Sequence, residues 1–145
     1  MTGRRTRITF GDFESQWIET ETGIPQGSTL SPVLFLFFIS DLLDEFKDVK
    51  SDVTGFGFVD DTTLITWGDS AAENCQRLTR AHEKCEAWAK RFGAKFASEK
   101  YQLIHFTKQR KVTEDLKSTV QIEGKDAELV SSLRVLGVWL DPSLS

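Results

Sequence analysis

The sequence predicts an α+β domain whose sheet is mainly antiparallel. Two pairs of short stretches read as hairpins, one flanking Gly11-Asp12 and one flanking Asp60-Asp61. Two longer stretches carry helical spacing, one opened by Ser31-Pro32 and one by Ser70. The resulting order is ββ, α, ββ, α and then strands, which segregates hairpins from helices as α+β domains do.

In the first hairpin, Ile8 and Phe10 alternate with Arg7 and Thr9, Gly11-Asp12 is the turn, and the return strand covers residues 16–20. Gly23-Ile24-Pro25-Gln26-Gly27-Ser28 is a loop by its glycines and proline. Ser31 offers an N-cap and Pro32 takes the first helical position, where its missing N–H costs nothing. The helix that follows, to about Phe46, is apolar nearly all round until Asp41, the pattern of a buried helix. Val53 to Val59 and Thr62 to Trp67 read as strands joined tightly through Asp60-Asp61. Ser70-Ala71-Ala72-Glu73 is a capping box, and the helix behind it carries Cys75, Leu78, His82, Cys85, Ala89 and Phe92 on one stripe until Gly93 ends it. Tyr101 to Phe106 alternates as a strand, 108–117 is a charged loop, and Val120 to Ile122 and Leu133 to Leu140 are further strands.

The chain has 145 residues, 39% apolar and 28% charged, which suits one domain with a real core and does not suit a disordered segment. No signal-peptide pattern follows Met1, and the longest apolar run, Val33 to Ile39, is far short of the roughly 20 residues a membrane span needs. The chain is therefore expected to be soluble and intracellular. Its two cysteines, Cys75 and Cys85, form no C-x-x-C pair and read as small core residues. His82, on the apolar stripe, reads as a structural histidine. The four tryptophans could stack bases, but their scatter over four elements favours packing.

Charge is uneven. Residues 41–61 carry seven acids and two lysines, a local −5 against −4 for the chain, so the remainder stands at +1. Small basic clusters lie at Arg4, Arg5, Arg7 and at Lys108, Arg110, Lys111. A nucleic-acid partner would need most of its phosphate-neutralising surface elsewhere.

Adjacent aspartates at a hairpin tip repel one another unless a cation joins them. Exposed turns also favour aspartate for its backbone preferences alone. Here the flanking strands are apolar enough to be central, and magnesium prefers one or two carboxylates completed by substrate phosphates. Two such ions can clamp the attacking and leaving oxygens of an in-line phosphoryl displacement.

Gly23-Ile24-Pro25-Gln26-Gly27-Ser28, then Leu30-Ser31-Pro32 and Leu34-Phe35, resembles the G-[IV]-P-Q-G-S-x-L-S-P-x-L-F block of reverse transcriptases. Phe58-Val59-Asp60-Asp61 resembles their [YF]-x-D-D box. Lys100 in Ser98-Glu99-Lys100-Tyr101 resembles a downstream lysine motif, and Leu136-Gly137-Val138-Trp139-Leu140-Asp141 the L-G-[VI]-x-[LI]-D block of the non-LTR, LINE-type subgroup. The four motifs stand in family order and span about residues 5–141.

The resemblance implies an antiparallel palm-type sheet with two packing helices and an RNA-directed DNA polymerase chemistry. It implies Asp60 and Asp61 as catalytic magnesium ligands, Asp60 the main one, within a two-metal site. It implies Phe58 as floor under the primer end, with Gln26 and Gly27 bordering the incoming nucleotide and template. Lys100 would assist the pyrophosphate leaving group, or be a solvated lysine at a strand end. Leu136 and Gly137 would form a hairpin gripping the primer, and Leu136 would pack in the core as well. The implied partners are an RNA template, a DNA primer and dNTPs, with no membrane, and the implied location is the nucleus if the element is active.

The family's other metal ligand comes from a block N-terminal to P-Q-G-S. Only 22 residues precede Gly23, and Asp12, Glu14, Glu19 and Glu21 among them form no such block. The expectation is thus a partial palm over residues 1–145, without fingers, first catalytic-aspartate block or thumb: a truncated copy with Met1 as a fortuitous start. The alternative function is a non-catalytic remnant of a retrotransposon polymerase, inactive alone.

Overall fold

The computed structural model describes residues 3–20, 23–25, 27–47, 52–108 and 113–144, in two units, Met1–Phe38 and Ile39–Ser145. In the first unit β1 (Arg4–Thr6) pairs antiparallel with β4 (Ile18–Thr20), and β2 (Thr9–Phe10) pairs with β3 (Phe13–Glu14) across Gly11-Asp12. Gly11 at φ +56° supplies the left-handed turn the sequence predicts. The expected pair of continuous strands is broken into four short ones. Ser15 interrupts the outer pairing, its hydroxyl accepting from the Ile8 amide at 2.9 Å.

Helix α1 (Ser31–Asp44) starts one residue earlier than predicted. The Leu34 amide donates to the Leu30 carbonyl at 3.0 Å, so Leu30 occupies the cap position and Ser31 is already helical. The Ser31 hydroxyl donates instead to the Pro25 carbonyl at 2.6 Å, tying the helix to its loop. The expectation of a buried helix fails for the turns in the first unit. Val33, Leu36 and Phe37 are exposed, while Ile39 and Leu42 of the second unit are buried. No described residue of the first unit is buried, so its two- and three-residue strands provide no apolar layer for those turns.

In the second unit β5 (Val53–Phe58) and β6 (Asp61–Thr66) form a six-rung antiparallel ribbon. Helix α2 (Ala71–Phe92) packs on both strands. Its buried stripe holds Ala71, Cys75, Ala81, Cys85, Trp88 and Ala89, while Phe92 lies exposed at its end. Ser70 caps it as predicted, accepting from the Glu73 amide at 3.3 Å, and Gly93 ends it in a left-handed cap at φ +67°. The Glu73 side chain departs from the capping box, accepting from Arg77 at 2.9 Å rather than reaching back.

The predicted strand over 101–106 shrinks to β7 (Gln102–Leu103), preceded by a 3-10 turn at Ser98–Lys100. A second such turn, Asp115–Lys117, falls in the charged loop. β8 (Gln121–Ile122) pairs antiparallel with β9 (Lys125–Asp126), and β10 (Glu128–Leu129) runs parallel to β7. The single strand expected over 133–140 is a hairpin, β11 (Leu133–Val135) and β12 (Val138–Leu140). Cys75, Leu103, Val120 and Ile122 form a core cluster that Leu78, Tyr101 and Ala127 flank. Mixed α and β content with two helices is thus as predicted. The single sheet is not: the described strands form six two-stranded ribbons, five of them antiparallel.

Candidate functional site

The β5–β6 ribbon positions both aspartates. Phe58 pairs with Asp61, so the two-residue loop is Val59-Asp60, one residue earlier than the Asp60-Asp61 loop the sequence suggests. Asp60 sits at the tip and Asp61 is the first residue of β6. Both are exposed. Val59 takes φ +53°, a conformation that β-branched residues rarely adopt, while Asp60 remains outside the left-handed region.

Strand alternation sorts the ribbon into two faces. Thr54, Phe56 and Phe58 share one with Asp61, Thr63 and Ile65. Val53, Gly55 and Gly57 share the other with Thr62, Leu64 and Thr66. The glycine face is where the end of α1 and the residues after it pack. A Cβ on Gly57 would lie 3.3 Å from Leu43, and one on Gly55 only 2.9 Å from Phe46. The Phe58 face stays open, with Phe58 58% exposed beside Asp61.

At the other end of the ribbon Arg77 of α2 binds both strands. Its Nη1 donates to the Trp67 carbonyl at 2.7 Å, directly after β6, and its Nε lies 3.8 Å from the Asp52 carboxylate, directly before β5. The Arg77 side chain is only 18% exposed. Gly68 makes room for it, since a Cβ there would stand 2.8 Å from Asn74 Oδ1 and 3.0 Å from Arg77 Nη1.

The remaining candidates lie on other elements. Gly27, exposed at φ +83°, belongs to the first unit, and Gln26 lies outside the described residues. Lys100 is exposed in the Ser98–Lys100 turn, its amide donating to the Ala97 carbonyl at 2.9 Å. Leu136 (φ +49°) and Gly137 (φ +87°) form the β11–β12 turn. They thus lie at a turn where the strand pattern over 133–140 predicts continuous strand. The expectation that Leu136 also packs in a core is not met, because it is 59% exposed. Val138 and Trp139 are exposed beside it.

The ribbon therefore brings Phe58, Asp60 and Asp61 together. Among the described residues no group of three or more His, Cys, Asp or Glu side chains is arranged to hold a metal ion. The two aspartates supply hard oxygen donors, exposed so that substrate phosphates could complete the shell, and that chemistry suits one magnesium ion. A second ion requires a further carboxylate.

Other titratable groups are structural. Burial pushes the Cys85 thiol up to about 11 and also raises Cys75, so neither offers a thiolate near neutral pH. Burial, with Glu86 next, raises the Tyr101 phenol. His82 Nε2 lies 3.3 Å from both the Tyr101 hydroxyl and a Glu86 carboxylate oxygen, the hydrogen-bonded setting expected for it.

Sequence reasoning missed Asp115. Its carboxylate accepts from the Ala71 and Ala72 amides at 2.6 and 3.0 Å and from the Ser70 hydroxyl at 3.0 Å, capping α2 a second time. The Ala71 and Ala72 amides, then the Ser70 hydroxyl and His105, hold that carboxyl below the ordinary aspartate value. Nothing local in the sequence announces a cap supplied from 44 residues away.

No described helix is long and apolar enough to cross a membrane. A family model described as reverse transcriptase (RNA-dependent DNA polymerase) matches residues 4–140. No curated protein and no solved structure matches the chain.

Proposed function

The chain belongs to the reverse transcriptase (RNA-dependent DNA polymerase) family, and from that premise we propose that residues 1–145 form palm-type structure of a non-LTR, LINE-type RNA-directed DNA polymerase. Such an enzyme transfers nucleotidyl groups from dNTPs to a primer 3′ end on an RNA template. The observation that carries this reading is the pairing of Phe58 with Asp61 beside Asp60 at an exposed hairpin tip.

In this reading Asp60 and Asp61 would hold magnesium. Bound there, the metal would neutralise charge on the reacting phosphate. Phe58 gives the primer end an apolar floor on the open face of the ribbon. Gly27, without a Cβ, lets template or nucleotide approach the backbone, and Gln26 borders the same nucleotide. Lys100 offers a positive charge and a proton to the departing pyrophosphate. The turn at Leu136-Gly137, with its exposed apolar neighbours, contacts the primer strand.

A second reading is a nucleic-acid-binding module without catalysis. The absence of a third metal-binding carboxylate among the described residues favours it. Both readings share template–primer binding and differ in its dependence on metal. The test is fluorescence anisotropy of a labelled RNA–DNA template–primer with and without magnesium. The polymerase reading expects magnesium to tighten binding and Asp60→Asn to abolish that gain. Binding indifferent to both magnesium and Asp60 supports the second reading, and no binding contradicts both.

A further inference from the structure

We propose that Arg4, with Thr6 and Thr20, forms a phosphate site that takes the backbone of a single-stranded nucleic acid. The inference rests on the polymerase-family reading and adds a contact in the first unit, away from the Asp60 hairpin in sequence.

The β1–β4 register sets the arrangement. Arg4 is directly opposite Thr20, and Thr6 is two residues along the same strand, so all three share one face. Arg5 and Glu19 oppose each other on the other face, where they form an ion pair at 2.8 Å. Glu14 is likewise engaged, by Arg7 at 2.6 Å. The Arg4 face therefore carries a cation with no acid from either strand.

Arg4 is incompletely satisfied. Its Nη2 donates to the Gly23 carbonyl, while its Nε is buried with no hydrogen-bond partner among the described residues. A guanidinium donor shut off from water without an acceptor is costly, so a turn of the Arg4 side chain that presents its guanidinium to an anion in the adjoining cavity would relieve that cost. Room exists for one. A cavity of about 280 Å³ is lined by Arg4, Thr6, Thr20, Gly23 and Pro25 together with Ile24 and Arg5, the Arg5 guanidinium being held by Glu19. The Thr6 and Thr20 hydroxyls lie 3.1 Å apart, so one proton serves their mutual bond and the other is left to donate. A cation and a spare hydroxyl donor, with no acid among the described residues that line the cavity, match a phosphate.

The neighbouring hairpin indicates a strand rather than a free ion. Phe10 and Phe13 pair across β2–β3, 85% and 62% exposed, and Trp17 stands 59% exposed with Arg7 5.0 Å from its ring centroid. Exposed aromatic rings, here in the stretch of chain that joins β1 to β4, are what unpaired bases stack on.

The experiment is anisotropy titration of a labelled, unstructured RNA oligonucleotide over a range of potassium chloride. It compares the unsubstituted chain with Arg4→Gln, Arg4→Lys and Thr20→Val. Loss of one phosphate contact on a single strand should lower the magnitude of the slope of log K against log salt by about 0.7 in Arg4→Gln. Arg4→Lys should keep the slope. An unchanged slope in Arg4→Gln with RNA still bound overturns this inference alone, whereas no RNA binding by the unsubstituted chain overturns the family-based reading as well. Where Arg4→Gln fails to fold by circular dichroism, Thr20→Val decides: weaker RNA binding supports the site and unchanged binding overturns it. Inorganic phosphate and a dNTP serve as competitors, and displacement by either as effective as by unlabelled RNA assigns the site to a free phosphate and overturns the strand.

Discussion

Phe46 packs so closely on Gly55 that a Cβ at Gly55 would lie 2.9 Å from Phe46 Cδ2. Phe46 is 3% exposed and the same Cβ would meet Leu64 at 3.2 Å, so neither neighbour is a free end that swings aside. The glycines of β5 thus let the ribbon that carries the aspartates lie flat against the segment ending α1. Gly55→Ala is expected to destabilise the chain by about 1–3 kcal/mol through overpacking. Gly57→Ala, whose nearest contact would be 3.3 Å, is expected to cost less. Urea denaturation of the two variants checks the ranking.

Val59 stores strain next to the site. A left-handed conformation costs an L-residue about 1–2 kcal/mol, and glycine adopts it freely at the expense of about 0.5–1 kcal/mol of unfolded-state entropy. Val59→Gly is therefore expected to gain between nothing and about 1.5 kcal/mol in urea denaturation. A loss larger than 1 kcal/mol would show that the φ of +53° is not a source of strain.

Asp115 gives the second unit a pH dependence. Its folded-state pKa is below the ordinary aspartate value of about 3.9, so its contribution is present above that value and is lost as pH falls through the folded one. Between pH 5 and pH 3 the unsubstituted chain should lose more in Tm than Asp115→Asn. At pH 6 the variant should melt lower, because a neutral amide is the weaker acceptor for the two α2 amides. Thermal melts across this range measure both, and equal acid losses would remove Asp115 as the cause.

Much of this was legible in the sequence, because the signals were local. Ser70 and Gly93 bound α2 at the predicted positions, and the alternation about Asp60-Asp61 marked the hairpin. The loop's one-residue shift was not legible: a left-handed valine is a conformation propensity argues against. The parallel β7–β10 pair and the Asp115 cap join residues 26 and 44 positions apart, and no local pattern encodes such partners. The exposed turns of α1 ran against an apolar pattern that reads as burial, because the first unit holds no layer to cover them. At the site, the tip was legible from the Phe58-Val59-Asp60-Asp61 box. The Arg77 clamp at the ribbon's far end was not, since an arginine on a helix surface reads as solvated.

In the proposed reading two-ion chemistry needs carboxylates converging from separate strands, and among the described residues no third acid joins Asp60 and Asp61. Primer extension with RNA template, DNA primer, dNTPs and magnesium is expected to give no product. Extension that disappears in Asp60→Asn would show that another carboxylate completes the site.

The proposed binding of a divalent metal by Asp60 and Asp61 at the ribbon tip can be read by nuclear magnetic resonance with manganese as a paramagnetic stand-in for magnesium. Substoichiometric manganese should broaden the amide signals of Phe58 to Thr62 first, magnesium should reverse the broadening, and Asp60→Asn and Asp61→Asn should each weaken it while the rest of the spectrum holds. Broadening centred elsewhere, for example on the acids near Asp44, or unchanged in both variants, would mean that the aspartate pair does not hold the metal.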